Sequence, residues 1–191
     1  MRVWLLLLLL VTLTGCLTVN ADELAGRVAH APEDAVFDWM SQQPPEVGDT
    51  TAIRQIVHFE ETRAAVLLSF RPEDWEYAQP ALALFVVEKQ GDRWVAKAHD
   101  YNSRPELTDD ILSFYSPPWA NAEPSAVYGL VVDERVTSVG LTWEDGLEQQ
   151  VQVVNGSYLS IRTDAPGTRG ASVTALNAEG HALTEYIRAN K

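Results

Sequence analysis

"IRQIVHFEETRAAVLLSF", residues 53–70, is the stretch from which the fold is read. Ile53, Val57 and Phe59 alternate with Arg54, His58 and Glu60, the period of two of a strand with one dry and one wet face. A turn fits at Glu61-Thr62. Beyond it Val66, Leu68 and Phe70 fall on one side of a second strand, so the stretch reads as a hairpin. "PALALFVVEKQGDRWVAKAH", residues 80–99, repeats the plan around a turn at Gly91-Asp92. Together the two hairpins predict a four-stranded antiparallel meander.

Upstream, "APEDAVFDWMSQQPP", residues 31–45, predicts a helix. Pro32 suits its first turn, Glu33 and Asp34 complement the positive end of the helix dipole, and Pro44-Pro45 stops it. Ala35, Val36, Trp39 and Met40 share one face, the spacing of a helix lying on a sheet. Downstream, "PELTDDILSFY", residues 105–115, predicts a second helix with Leu107, Ile111, Phe114 and Tyr115 on its apolar face. "SPPWANAEPS", residues 116–125, has no period and is rich in proline, and it marks a boundary.

Past that boundary, strands are expected near 126–132, 136–143, 147–154, 157–163 and 171–177, a spacing of about ten residues typical of a sandwich or barrel. Turn signals separate them at Asp133-Glu134, Glu144-Asp145-Gly146, Asn155-Gly156 and Asn177–Gly180. The pattern of residues 181–191 fits a strand or a short helix equally.

The expected class is therefore α+β. An α+β domain over residues 32–118, its N-terminal helix packed on an antiparallel meander, precedes a β-rich domain over 119–191, a small antiparallel sandwich or barrel. The first half is similar to cystatin-like or nuclear-transport-factor-like sheets that cradle a helix. "VYGLVVDERVTSVGLTWEDG", with "NGSY" and "ALNAEGH" behind it, looks like the β-rich modules of uncharacterised exported bacterial lipoproteins. Neither resemblance implies an activity, because such folds host many functions.

At the other end of the chain, Arg2 and the apolar run Val3–Leu13, with leucine at every position from Leu5 to Leu10, have the plan of an export signal. The run is shorter than the roughly 20 residues that a spanning helix needs. The chain's single cysteine follows it in "LTGC", residues 13–16. This motif resembles the lipobox of bacterial lipoproteins. The resemblance implies cleavage of residues 1–15 as a signal peptide, a diacylglyceryl group and acyl chains such as palmitate on Cys16, and a tether over residues 16–31. It also implies placement on the extracytoplasmic face of a cell membrane or envelope. Ordinary secretion is the competing reading, because Val19-Asn20-Ala21 also satisfies the small-residue rule for cleavage. An odd cysteine in an exported chain calls for a role, and lipidation supplies one. Two or more acyl chains anchor stably, each buried methylene adding about 0.8 kcal/mol.

The formal net charge is −13, with 27 acidic and 14 basic side chains. Such a chain is repelled by phosphate backbones and anionic lipid surfaces, so nucleic acid is not an expected partner. The expected partners are the membrane, through Cys16, and an envelope or secreted protein.

Chemistry-bearing motifs are sparse. The sequence holds no G-x-S-x-G elbow, no H-E-x-x-H, no phosphate-binding loop and no EF-hand loop. The nearest constellation is His58 with Glu60, two apart on one strand and so on one face, with His99 on another strand of the same sheet. A solvated strand face is the plainer reading of these three. "APGTRGAS", residues 165–172, reads as a strand connection. Trp39, Trp94 and Trp143 stand at core positions, whereas Trp75, Tyr77 and Trp119 stand in expected loops, where aromatics supply large contact area at low entropy cost. Seam plugs are the alternative role for the two loop tryptophans.

The sequence thus points to a non-enzymatic, membrane-anchored binding or adaptor module without a cofactor, with Cys16 as lipid attachment and Trp75, Tyr77 and Trp119 as candidate contacts. The rival is an envelope ligand- or metal-binding protein, or a hydrolase, using His58, Glu60 and His99.

Overall fold

The computed structural model describes residues 29–42, 51–72, 76–102, 107–117, 119 and 124–188. The expected signal peptide, the lipid attachment at Cys16, the Pro44-Pro45 stop and Trp75 lie outside the described residues. Within them the chain is a β-rich α+β protein, mostly antiparallel sheet with one short helix.

The helix, α1, runs Pro32–Ser41. Asp34 seats its start, its Oδ2 accepting the backbone N–H of Ala31 at 3.0 Å and of His30 at 3.2 Å. Strands β1 (Ala52–Glu60), β2 (Arg63–Phe70), β3 (Ala81–Gln90) and β4 (Arg93–Asn102) follow as a four-stranded sheet in chain order. Burial of β2 is continuous from Ala64 to Phe70, and that of β3 from Ala81 to Val87. Both faces of these strands are covered, which explains why their sequences read as apolar runs. Val66, Leu68, Ala83 and Phe85 share a cluster with Ala35 and Val36 of α1. Ala65, Leu67, Leu82 and Leu84 face the other way.

β1 departs from simple alternation. Ile53 pairs with Leu68 but Gln55 pairs with Leu67, so one extra residue, Arg54, is inserted as a bulge. The bulge moves side chains between faces. Ile53 joins the helix-side cluster, whereas Val57 and Phe59 pack on the opposite one. The three residues therefore do not line one side, as strict alternation had them.

The expected second helix is a hairpin. β5 (Leu107–Thr108) pairs with β6 (Leu112–Ser113). Between them Asp109 and Asp110 hold left-handed φ values of 49° and 55°. Aspartate tolerates that region as a single turn residue, and two in succession end any right-handed helix.

Beyond residue 124 come β7 (Ser125–Leu130), β8 (Ser138–Trp143), β9 (Glu148–Gln152), β10 (Ser157–Arg162), β11 (Gly170–Leu176) and β12 (Ala182–Ile187). The undecided tail thus forms a strand over Ala182–Ile187. β12-β11-β8-β9 form a second four-stranded sheet, and β10-β7 a ribbon lying between the two sheets. One face of the ribbon, with Ala126, Tyr128 and Leu159, shares a cluster with Leu67, Leu82 and Leu84 of the first sheet. Its other face, with Val127 and Tyr158, packs with Val139, Leu141 and Trp143 of the second. The ribbon therefore buries one face on each of the two sheets. Each fully buried Leu or Tyr in the middle layer contributes about 1.5–3 kcal/mol. Exposing four of them would approach the about 5–15 kcal/mol net stability of a domain.

The segment around Ser113–Tyr115 runs beside β7 as a broken third strand. Tyr115 and Tyr128 exchange both backbone hydrogen bonds, at 2.9 and 3.0 Å. The Ser113 hydroxyl accepts the Leu130 N–H at 2.8 Å, and its carbonyl accepts the Tyr158 hydroxyl at 2.7 Å. This close approach is possible because residue 129 is glycine.

Candidate functional site

The polar contacts that matter most lie where the first sheet meets the ribbon. The Arg54 bulge turns Gln55 toward the second half, where its Nε2 donates to the Ser157 carbonyl at 2.8 Å and to Ser157 Oγ at 3.0 Å. Arg54 and Asn155 clasp reciprocally. Arg54 Nη1 donates to the Asn155 carbonyl and Asn155 Nδ2 to the Arg54 carbonyl, each at 3.0 Å. Arg54 Nε is fixed in turn by Ser69 Oγ at 2.7 Å. Asn155-Gly156 is the two-residue turn joining Val154 to Ser157, with φ of 51° and 66°.

A second seam contact joins β4 to β7. The Tyr128 hydroxyl donates to Asp100 Oδ2 at 2.6 Å. Tyr128 is fully buried and its ring lies 5.5 Å from that of Tyr115. Burial, then the Asp100 charge, pushes the Tyr128 hydroxyl well above the usual phenol range, so it stays a donor. Tyr158, likewise buried, is pushed up by desolvation first.

Trp119 packs against the middle cluster that holds Tyr128, alongside Tyr115, Val57 and Phe59. Its indole N–H is buried and meets no acceptor among the described residues. Tyr77 lies in the connection between β2 and β3 and is 45 % exposed. Arg71 braces that connection, donating to the Tyr77 and Ala78 carbonyls at 3.3 and 2.5 Å.

His58, Glu60 and His99 are distributed differently. His58 on β1 and His99 on β4 stand on the two edge strands of the first sheet. His58 is exposed and its ring meets Trp94 edge-on at 5.8 Å. Glu60, at the hairpin end, faces Arg63 at 3.6 Å. His99 lies against Trp39 and Phe85, with ring centroids at 4.3 and 5.7 Å. Desolvation lowers the His99 pKa from its ordinary value, and the neighbouring Asp100 charge opposes the shift. No group of three or more His, Cys, Asp or Glu side chains suited to a metal occurs among the described residues.

At the far end of the ribbon, Arg162 is buried over Trp143, with its guanidinium 5.1 Å from the ring centroid. Arg162 Nη1 reaches Asp145 and Nη2 reaches Asp164, both at 3.0 Å. Hydrogen bonds from Arg162 hold the Asp164 carboxyl below its ordinary pKa. Both carboxylates are exposed, so this ion triad fastens the strand end to the loop at 163–165.

Arg54, Gln55, Asp100 and Tyr128 escaped the sequence reading because each finds its partner far along the chain. Asn155-Gly156 was legible as a turn, though not as a clasp. Comparison with protein families, with curated proteins and with solved structures finds no match to this chain. No helix among the described residues is long and apolar enough to cross a membrane.

Proposed function

We propose that this chain is a lipid-anchored extracytoplasmic lipoprotein, tethered through Cys16, and that it serves as a non-enzymatic binding or adaptor module for an envelope or secreted protein. The observation that carries the binding half of the proposal is Tyr77, 45 % exposed on a connection that Arg71 braces. The partly exposed Trp119 ring offers a second aromatic surface. Such aromatics supply large contact area to a partner at low entropy cost. The "LTGC" motif carries the anchor. In this reading the first half is cystatin-like, a helix held against a meander, and the second half is a small antiparallel sandwich that stiffens the platform.

The anchor is tested by labelling cells with palmitate, which the chain should incorporate and a Cys16→Ala variant should not. The contact is tested by cross-linking the full chain in its native membrane. Tyr77→Ala should lower capture of a neighbouring protein, and Trp119→Ala, which removes the partly exposed ring, should lower it further. Unchanged capture by both variants removes these residues from the contact.

The exposed His58 on its Trp94 platform is the observation that favours the rival, a ligand- or metal-binding protein or hydrolase using His58 and Glu60. Loss of a bound metal or ligand in His58→Ala, with the melting temperature unchanged, would establish that reading instead.

A further inference from the structure

We propose that Asn155 is a deamidation site, gated by the clasp that joins the two halves of the molecule. Asn155 is exposed, and Gly156 follows it without a side chain to hinder approach to its backbone nitrogen. In the chemistry of such a pair, the Gly156 nitrogen attacks the Asn155 side-chain carbonyl carbon. A C–N bond forms, the amide nitrogen leaves as ammonia, and the backbone N–H proton is lost to solvent. One water then opens the resulting succinimide, leaving aspartate or isoaspartate at position 155.

In the folded chain three contacts oppose this reaction. Asn155 Nδ2, the leaving group, is held on the Arg54 carbonyl at 3.0 Å. Arg54 Nη1 holds the Asn155 backbone carbonyl at 3.0 Å. The turn is locked at left-handed φ by the two Val154–Ser157 backbone bonds, at 2.8 and 3.0 Å, and Gln55 braces Ser157 from outside. The attack requires rotation about bonds that these contacts fix, so it proceeds when the clasp opens.

Conversion also weakens what gated it. A carboxylate at position 155 has no donor for the Arg54 carbonyl, so two acceptors face each other across 3.0 Å. An isoaspartate lengthens the backbone by one methylene and cannot keep the two-residue turn. The modification therefore loosens the seam between the first sheet and the ribbon.

The test is peptide mapping by mass spectrometry, with isoaspartate detection, after incubation of the full chain at mildly alkaline pH. A synthetic peptide of residues 150–160 and an Arg54→Ala variant, which removes the guanidinium from the clasp, run in parallel, with Arg54→Lys as a second variant should Arg54→Ala fail to fold. Asn155 in the folded chain should convert at least about tenfold more slowly than in the peptide, and the clasp variant should lie between them. Asn155→Asp, which tolerates the same φ, should lower the melting temperature. Equal rates in folded chain and peptide, or no acceleration in the clasp variant, overturn the gating. An Asn155→Asp chain as stable as the parent overturns the loosening.

Discussion

Replacing Gly129 by alanine would place a methyl carbon 1.9 Å from the Ser113 carbonyl oxygen and 2.7 Å from Cε1 of Tyr158. Neither neighbour has room to give. Ser113 and Tyr158 are both fully buried, and they are bonded to each other through the Tyr158 hydroxyl at 2.7 Å. To reach an ordinary contact, the 111–116 segment must move away from β7 by more than 1 Å, roughly the amount that separates a hydrogen bond from none. That movement overpacks the second cluster, at about 1–3 kcal/mol. It also strands a buried phenol and a buried carbonyl, at about 1–3 kcal/mol more. The expected loss is about 2–6 kcal/mol, a large share of a domain's net stability. Gly140→Ala is the matched control. It too lies within a strand, but its added carbon would meet Leu176 and Thr174 at 3.7 Å, an ordinary contact. It should be neutral, or stabilising by up to about 1 kcal/mol through the unfolded chain. Equilibrium urea unfolding, read at constant slope, measures both. A Gly129→Ala chain within about 0.5 kcal/mol of the parent, or a Gly140→Ala chain equally damaged, would refute the packing described for the broken strand.

Other outcomes follow from named contacts. The partly buried Asp133 is held to a pKa of about 2, first by its side-chain hydrogen bond from Arg135. Its carboxyl NMR titration should therefore have a midpoint near 2 and return toward the ordinary value of about 4 in Arg135→Ala. Because the folded pKa is depressed, whatever stability this pair contributes is present above the ordinary pKa and lost as pH falls through the folded one. His99 has its pKa lowered by desolvation, so its contribution is complete above the ordinary value of 6.5 and declines as pH falls below it. Trp39→Ala, which removes the ring beside it, should raise the His99 midpoint in a histidine NMR titration. Arg162→Lys keeps the charge but loses the forked contact to Asp145 and Asp164, and should cost about 1–2 kcal/mol in the same urea assay.

The strands and their turns were legible because each hairpin carries its own signal. Gly91-Asp92, Gly146, Asn155-Gly156 and Gly180 mark the reversals, and the positive φ of all four glycines is the conformation those reversals need. The misread elements share a cause, which is that long-range packing overrode a local period. Leu107, Ile111 and Phe114 have helical spacing, yet Asp109 and Asp110 turn the chain, and Ile111 and Phe114 pack on the second cluster from a broken strand. Ile53 and Val57 read as one face because a bulge leaves no mark in composition. Gly129 did leave a mark, since an isolated glycine inside a strand pattern points to a close backbone approach. The seam contacts Tyr128–Asp100 and Gln55–Ser157 span 28 and 102 residues of chain, and no local pattern announces them. For the candidate contact, sequence supplied the residue types at Tyr77 and Trp119, and structure supplied the exposure of each.

The proposed function is that of a tethered module with a protein partner. Cross-linked capture of the full chain from its native membrane, beside a Cys16→Ala version, tests it most directly. A stoichiometric envelope protein is expected in the first sample, reduced by Tyr77→Ala and absent from the unanchored control. Recovery of the chain alone, while known membrane neighbours cross-link normally, would contradict it.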